Sequence, residues 1–295
     1  MNLLRVNFKI KKAFSLVEIS VVILIIGILI AGISKGYDLY NDFYLTKIRN
    51  ITKNSRVGRI SNLELWLETS LEESFTNSDR KNNNLISLWK DINIQTSQRK
   101  IISQETSSAQ PKYITSAFNG IIPAVRFDGN DFFAFDSAFM NGSDFTIFVV
   151  EKRTSAGVNS YFIGGGSAGV FHLGYKNSSE IRVGQYGAVN INFFDYAIPT
   201  FNSSKTISRI HSFMMSGSNG KKYWLNGGEN PDASSANNSL LSGYFGHIGG
   251  AEIGSNNLFY TGDIGEIIIY SKELSTKERK EVEDYLSKKY GIVIS

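Results

Sequence analysis

The longest apolar run of the chain lies near its start, where the 20 residues from Phe14 to Ile33 carry a single charged side chain. A helix of that length, rising about 1.5 Å per residue, covers the roughly 30 Å hydrocarbon core of a bilayer. The preceding segment, Met1–Ala13, has four basic residues and no acidic residue. The positive-inside rule places that segment in the cytoplasm. The pattern therefore predicts one membrane-spanning helix, with the rest of the chain exported.

After Ile33 the apolar pattern changes but stays helical. Apolar residues recur at every third or fourth position, at Tyr37, Tyr40, Tyr44, Ile48 and Ile51. One helix is therefore predicted over residues 14–54, with its transmembrane part at 14–33 and a linker following at 55–62. Such an apolar stripe is typical of a helix face that packs on its own domain.

From residue 63 onward the pattern predicts β-structure. Short runs rich in aromatic and β-branched residues, such as Phe145–Val150 and Ile264–Tyr270, alternate with turns of Gly, Asn, Ser and Asp. The segment Tyr223–Gly228 is a strand that runs into an Asn-Gly turn, a hairpin signal. Near the end, Ser275 to Glu278 has capping-box spacing, and a helical pattern follows until Gly291. These patterns predict a β-sandwich followed by a short amphipathic helix.

Glu18 is the one carboxylate inside the apolar run. A charged residue at the centre of a membrane helix is unfavourable by about 2.5 kcal/mol or more on insertion scales, so we expect Glu18 to have a specific partner. A cleaved signal peptide, with Ala31 to Ser34 as its small-residue cut site, is one alternative, and a plain signal anchor is another. Neither alternative explains Glu18.

The residues around Glu18 resemble a known processing signal. Ala13-Phe14-Ser15-Leu16-Val17-Glu18 and the apolar residues from Ile19 to Leu29 are similar to the class III signal of type IV pilins and type II secretion pseudopilins. The resemblance implies that residues 1–13 are a cytoplasmic leader, and that a prepilin peptidase cuts between Ala13 and Phe14 and methylates the new amine. Ala13 stands where that family usually has glycine.

The same resemblance implies the partners of the mature chain. They are the prepilin peptidase, the inner membrane and other pilin or pseudopilin subunits. In the low-dielectric core of a filament, ion pairs form only if both charges are matched. The cationic amine of Phe14 from an adjacent subunit is therefore the expected counter-charge for Glu18.

Composition narrows the possible partners and cross-links. The 31 Lys and Arg residues exceed the 27 Asp and Glu residues by four, and the predicted leader contains four basic residues: Arg5, Lys9, Lys11 and Lys12. The mature chain is thus formally neutral, and no nucleic-acid partner is expected. The chain has no cysteine, so an exported domain must be stabilised by its core rather than by disulfides.

Residues 63–295 carry a second resemblance. Five segments are similar in order and spacing to a concanavalin A-like (laminin G-like) jelly roll: Leu63–Glu68, Leu88–Asp91, Gln110–Tyr113, Ile122–Asp131 and Gly262–Tyr270. The resemblance implies a mainly β fold of two sheets in a sandwich domain at 63–295. Similar domains often bind glycans or proteins, sometimes through calcium. The ligand-binding residues themselves stay unknown at this point.

Two sets of side chains are candidates for binding. A Gly-containing loop offers hard oxygen ligands suited to calcium, at Asp128, Asn130, Asp131 and Asp136. Such side chains also commonly set turn geometry by bonding their own backbone, and both interpretations stay open. Four aromatic residues form either a sugar-stacking platform or part of the core: Tyr186, Trp224, Tyr244 and Phe245.

The jelly-roll fold also hosts glycoside hydrolases, which need two carboxylates about 5–9.5 Å apart. Asp263 and Glu266 are the best pair, but three positions along a strand place them on opposite faces. The family's Glu-x-Asp-x-x-Glu motif would also need glutamate where Thr261 stands. The three histidines lack the spacing of a metal site and are expected to be structural: His172, His211 and His247. We therefore expect that the chain is not an enzyme.

Together these patterns predict a minor type IV pilin or pseudopilin whose lectin-like head adheres to glycan or protein. It is expected as a single-pass protein of the bacterial inner membrane, with its head in the periplasm, or at the cell surface when assembled. A minor position is expected because a bulky head is hard to repeat along a filament. Three alternatives remain: a structural pseudopilin without a ligand, a membrane-anchored polysaccharide hydrolase, and a DNA-uptake pilin.

Overall fold

The computed structural model describes residues 14–166, 170–186, 192–198, 200–202, 206–241 and 246–294. Within these residues the elements are α1 Leu16–Lys53, β1 Leu63–Glu68, β2 Leu88–Lys90, β3 Ile101–Ser103, β4 Lys112–Phe118, β5 Ile122–Asp128, β6 Phe133–Phe135, β7 Phe145–Arg153, β8 Ser160–Gly164, β9 Val170–Tyr175, β10 Glu180–Tyr186, β11 Asn192–Ala197, β12 Arg209–Ser216, β13 Gly220–Leu225, β14 Ala233–Ser235, β15 Gly246–Ile248, β16 Gly250–Ala251, β17 Leu258–Phe259, β18 Thr261–Tyr270 and α2 Thr276–Tyr290. The chain divides into two compact units, Met1–Tyr44 and Leu45–Ser295. The second unit is called the head below.

Helix α1 runs without a break from Leu16 to Lys53, close to the predicted 14–54. In the described part of the chain it is the one helix long and apolar enough to cross a membrane, properties that a signal sequence shares. Its large apolar side chains between Leu16 and Ile33 are exposed. An apolar surface of this size needs a cover of lipid or protein, and a membrane anchor or a signal sequence meets that need.

The described part of the head forms two antiparallel sheets. Sheet 1 has the order β14-β13-β12-β7-β18-β5-β4. Its long strand β18 pairs first with β5 and then, through Glu266 to Tyr270, with β1. Sheet 2 has the order β11-β10-β9-β8-β15-β6-β3-β2, and β16 and β17 form a separate ribbon. The predicted fold class is confirmed: a long apolar helix, then a β-sandwich of two sheets, then a short C-terminal helix.

Strand alternation divides the side chains of sheet 1 between two cores. On β18, Ile267 and Ile269 belong to the core between the two sheets, whereas Ile268 and Tyr270 belong to the core between sheet 1 and α2. The second core also includes Ile48 from the end of α1. Because the chain has no cysteine, the stability of the head rests on burying both faces of this sheet.

Helix α2 begins and ends where the sequence predicts. The hydroxyl of Ser275 accepts a hydrogen bond from the Glu278 backbone N–H at 3.3 Å, and the Glu278 carboxylate accepts one from the Ser275 N–H at 3.0 Å. This is the predicted capping box. Gly291 ends the helix in the left-handed conformation, with φ of 63°. The helix therefore covers sheet 1 with a fixed start and stop.

Candidate functional site

The face of sheet 2 that points away from the core carries polar side chains. On β9, His172 lies between the core residues Phe171 and Leu173, and on β10 Arg182 lies between two core residues in the same way. Alternation along each strand turns both polar side chains outward. Tyr161 on β8 joins them, because its ring stacks on the imidazole of His172 with 4.2 Å between the ring centroids and 13° between the planes.

The β16–β17 ribbon provides a second wall beside this face. It lies so near β8 that a Cβ at Gly164 would stand 2.2 Å from the Cβ of Ala251, so glycine is required there. The next residue, Glu252, has φ of 52°, a conformation uncommon for a non-glycine residue. Its backbone N–H donates to the Gly165 carbonyl, and its carbonyl accepts from the Asn257 N–H, both at 3.0 Å. The ribbon thus holds a strained residue in place.

A cavity of about 420 Å³ lies between the two walls. This volume falls in the range of roughly 300–1,000 Å³ that is usual for small-molecule sites. The lining residues are Asn159, Tyr161, His172, Arg182, Glu252, Asn256 and Leu258. Six of these seven side chains carry a polar group, so the cavity presents hydrogen-bond donors and acceptors that converge on one space.

Glu252 faces His172 inside the cavity, with 3.1 Å between Oε1 of the carboxylate and Nε2 of the imidazole. Burial lowers the pKa of His172 to about 4, although the nearby carboxylate acts in the opposite direction. The imidazole is therefore neutral at pH 7. The Asn256 amide donates a hydrogen bond to the other oxygen of Glu252. Neither neighbour cancels the negative charge of this carboxylate.

Arg182 is held by a carboxylate of its own. Its Nε and Nη2 donate to the two carboxylate oxygens of Asp195 on β11, at 2.8 and 3.1 Å. Lys176 lies 2.9 Å from the same carboxylate and 3.2 Å from that of Glu180. The hydrogen bond to Asp195 raises the pKa of Arg182. Two cations and two carboxylates therefore balance one another along this wall.

The residues predicted for processing and assembly lie at the start of α1. Ala13 lies outside the described residues. Phe14 is 81% exposed, and the exposed carboxylate of Glu18 accepts a hydrogen bond from the Ser15 N–H at 2.8 Å. Glu18 thus caps the first turn of its own helix. Cleavage between Ala13 and Phe14, and pairing of Glu18 with the amine of a neighbouring subunit, stay predictions.

Of the four residues predicted to bind calcium, two lie together. The carboxylate of Asp131 is buried and accepts a hydrogen bond from the Asp128 N–H at 2.9 Å, and burial raises the pKa of Asp131 to about 7. Asn130 is exposed, and Asp136 accepts a hydrogen bond from the Ala138 N–H at 2.8 Å.

This loop gives limited support to a calcium site. Across the ranges that the structure describes, no group of three or more His, Cys, Asp or Glu residues is placed to hold a metal ion. The pair formed by Asp128 and Asp131 supplies fewer oxygens than the six to eight that calcium takes. The hydrogen bond from the Ala138 N–H to the Asp136 carboxylate has the form of an ordinary turn. Calcium binding here stays a prediction.

The expectation that Asp263 and Glu266 point to opposite faces is wrong. A bulge on β18 between Ile264 and Glu266 shifts the alternation by one residue. Both carboxylates therefore lie on the face toward α2. Asp263 is buried against Arg126, with 2.7 Å between Oδ1 and Nε. Glu266 is buried against Lys289, with 2.8 Å between Oε2 and Nζ. Both carboxylates are thus held in ion pairs outside the cavity.

The aromatic platform considered from sequence is not formed around Trp224. Trp224 is 4% exposed, and the guanidinium of Arg279 lies 4.1 Å from the centre of its ring. It belongs to the core under α2. Tyr244, Phe245 and the side chain of Tyr186 lie outside the described residues.

Sequence reasoning did not find the cavity residues, and it took His172 as structural. A signal exists for two of them, because His172 and Arg182 are polar positions opposite the core on two successive alternating strands. Glu252 has no such signal. It reaches the cavity because a ribbon far along the chain packs against β8.

No protein-family model matches the chain, and no curated protein matches its sequence. Solved structures do match. Trypanosoma rangeli sialidase in complex with 2,3-difluorosialic acid has a TM-score of 0.50 at 14% identity, over 78% of this chain and 33% of that one. Domain 4 of AbnA, a GH43 extracellular arabinanase from Geobacillus stearothermophilus in complex with arabinotriose, has a TM-score of 0.52 at 13% identity, over 76% and 98%.

The binding domain of Paraclostridial Mosquitocidal Protein 1 has a TM-score of 0.51 at 13% identity, over 76% of this chain and 52% of that one. This chain spans about a third of the length of the sialidase it matches. At such identities the likeness shows the fold alone. The head is therefore a two-sheet jelly-roll sandwich, a fold that it shares with these neighbours, and it follows an apolar N-terminal helix.

These neighbours correct one expectation from sequence. The prediction that the chain is not an enzyme is overturned at the level of the fold, because the structural neighbours include a sialidase and a domain of a GH43 arabinanase. The sequence argument rested in part on the faces of Asp263 and Glu266, which the bulge on β18 changes. The fold is thus one that glycoside hydrolases use, and by itself it assigns no reaction to this chain.

Proposed function

We propose that this chain is a pilin-like, membrane-anchored protein whose head binds glycan in the cavity on the outer face of sheet 2. The observation that carries the proposal is the convergence of Tyr161, His172, Arg182 and Glu252 on one cavity of about 420 Å³. Support comes from the structural neighbours, one of which is in complex with arabinotriose and another with a sialic acid derivative. The cavity has a volume suited to a small ligand, and the polar side chains that line it can form hydrogen bonds with the hydroxyls of a sugar.

Binding is expected to depend on the wall that carries Glu252. In the full chain in detergent, Glu252→Ala is expected to weaken glycan binding at least tenfold, about 1.4 kcal/mol, because a carboxylate that accepts hydrogen bonds from hydroxyls is removed. Glycan arrays identify the ligand, and calorimetry on the best ligand measures the change. Release of reducing sugar is followed in the same samples, to learn whether the bound glycan is also cleaved.

Glu229→Ala is the matched control for this experiment. Glu229 is also a glutamate with an ion-pair partner, Lys280, but its side chain is 71% exposed and does not line the cavity. This variant is expected to bind as the unmodified chain does. Equal affinity of Glu252→Ala and the unmodified chain would remove the cavity as the site. Absence of binding to every glycan would favour a structural pseudopilin.

The anchoring half of the proposal rests on α1 and on the residues before it. The helix is apolar and exposed over its first half, and Glu18 lies five residues into the chain that would begin at Phe14. We assign the protein to the bacterial inner membrane, with its head in the periplasm or, after assembly, at the cell surface. The size of the head favours a minor or tip position, so a finding that this is the major repeated subunit would contradict that part.

Processing has a direct test. In cells with an active prepilin peptidase, the mature protein is expected to begin at a methylated Phe14, as read from its mass and N-terminal sequence. Ala13→Gly is expected to raise the processed fraction, because glycine is the family's usual residue before the cut. Glu18→Ala is expected to be processed but not incorporated into filaments, with Ser15→Ala as the control that keeps the charge. An intact Met1, or a cut after Gly32 or Ser34, would refute the pilin assignment.

A further inference from the structure

The charges around the cavity bear on the kind of glycan that it accepts. Among the described residues that line it, Arg182 is the one strong cation. Its planar fork is already engaged, since Nε and Nη2 both donate to Asp195. An arginine binds a ligand carboxylate best through that same two-pronged arrangement. The charge of Arg182 is therefore already matched by a protein carboxylate. The described lining offers no other strong cation to an incoming anion.

The opposite wall adds a charge of the other sign. Glu252 contacts a neutral His172 and the amide of Asn256, and neither of these groups carries a positive charge that would balance it. Among the described residues, Arg182, Glu252 and the groups in the ion pairs that join Arg182 comprise two cations, Lys176 and Arg182, against three carboxylates, Glu180, Asp195 and Glu252. The excess is one negative charge, placed where a ligand would lie. In a partly desolvated cavity such a charge repels an anion more strongly than it does in water.

The remaining lining groups match hydroxyl groups. Tyr161 is 1% exposed, and one face of its ring is covered by His172, so ring stacking by a sugar is not the main contact offered. Its hydroxyl instead donates to the amide oxygen of Asn159 at the cavity wall, at 3.2 Å. A carboxylate accepts hydrogen bonds from neutral hydroxyls, and an amide both accepts and donates them, without needing a counter-charge.

From this arrangement we infer that the cavity selects neutral saccharides and rejects those that carry a carboxylate, such as sialylated or uronic acid-containing glycans. The inference rests on the proposed function, because it takes the cavity as the glycan site. It deepens that proposal by naming the ligand class. The fold itself does not make this choice, because a fold assigns no ligand by itself.

The test uses a neutral trisaccharide and two pairs of probes in which one member is neutral and the other carries one or more acidic sugars. The full chain in detergent is applied to an array that includes arabinotriose, lactose with 3′-sialyllactose, and galactotriose with trigalacturonic acid. The best probes are then measured by calorimetry at pH 7. Each neutral member that binds is expected to bind at least tenfold more tightly than its acidic partner. Glu252→Gln keeps the shape of the side chain and removes its charge, and it is expected to reduce that ratio about tenfold.

Glu229→Gln is the charge-matched control, and it is expected to leave the ratio unchanged. Preferential binding of the acidic members, or a ratio that Glu252→Gln does not alter, would overturn the selectivity while leaving glycan binding in place. Binding of no probe by the unmodified chain would overturn the proposed function and the selectivity together. The two failures are therefore told apart by whether any glycan binds.

Discussion

Replacing Lys289 by methionine is expected to destabilise the head by about 3–5 kcal/mol. The ammonium group of Lys289 contacts the carboxylates of Glu68 and Glu266, and all three side chains are fully buried. A buried ion pair contributes little net stability, but removing one partner leaves an uncompensated buried charge. Here two carboxylates share one lysine, so its loss leaves both without a counter-charge.

The two carboxylates are not equivalent. Glu68 also accepts hydrogen bonds from the backbone N–H groups of Ser70 and Leu71, each at 2.7 Å. Burial opposes ionisation of Glu68, but Lys289 and these donors outweigh it and leave its pKa lowered. Burial dominates at Glu266 and raises its pKa, although Lys289 acts against this. The cluster therefore concentrates the ionised form on Glu68.

Urea unfolding at several pH values measures the effect of Lys289→Met. Without the lysine both carboxyls are expected to have raised pKa values in the folded state. Their protonated forms then stabilise the fold below the unfolded pKa of about 4.3, and this stability is lost as pH rises. The deficit is thus expected to be larger at pH 7 than at pH 4. Lys288→Met, an exposed neighbour on α2, is the control, and an equal loss in both variants would contradict the explanation.

Replacing Glu151 by leucine is expected to cost about 3–5 kcal/mol by a different route. Glu151 is fully buried on β7 and accepts hydrogen bonds from the hydroxyls of Tyr175 and Tyr260, at 2.5 and 2.6 Å. His211 lies 3.0 Å away through Nε2. The leucine variant leaves these three buried groups without their acceptor, and each unsatisfied donor costs about 1–3 kcal/mol. Glu151→Gln keeps an acceptor oxygen, so its expected loss is smaller.

The pH dependence separates this explanation from simple loss of packing. Burial acts to raise the pKa of Glu151, but the hydrogen bonds and charges of its neighbours act against burial, and His211 contributes most. The net result is a lowered pKa. Its contribution is therefore present above the unfolded pKa of about 4.3 and is lost as pH falls through the folded pKa. The deficit of Glu151→Gln is expected to shrink below pH 4. Glu180→Gln, on the strand β10, is the surface control, and a pH-independent deficit at Glu151 would count against the network.

Much of the fold follows from local sequence patterns. The uninterrupted apolar run and the stripe after it predict α1 almost to its last residue. The capping box at Ser275 and the stop at Gly291 are both confirmed, because helix ends depend on residues only a few positions apart. The sandwich could be predicted because alternation and turn residues are also local. The two sheets were expected from the resemblance.

The candidate site was much less predictable. His172 and Arg182 have local signals for an outward face, but nothing near Glu252 indicates that it completes a cavity with them. The pairing of Lys289 with Glu68 joins residues 221 positions apart. One bulge on β18 reversed the expected relation of Asp263 and Glu266, because a single extra residue moves every later side chain to the other face.

The sequence alone therefore determined the two helices, the β-rich character of the head, and where the chain has a segment suited to a membrane. Periodicity and capping act over a few residues, so these features can be read without knowing any neighbour. Only the tertiary structure decided which polar faces meet. Strand order, register and the packing of the β16–β17 ribbon are set by contacts between distant segments, and those contacts build the cavity and the buried charge clusters.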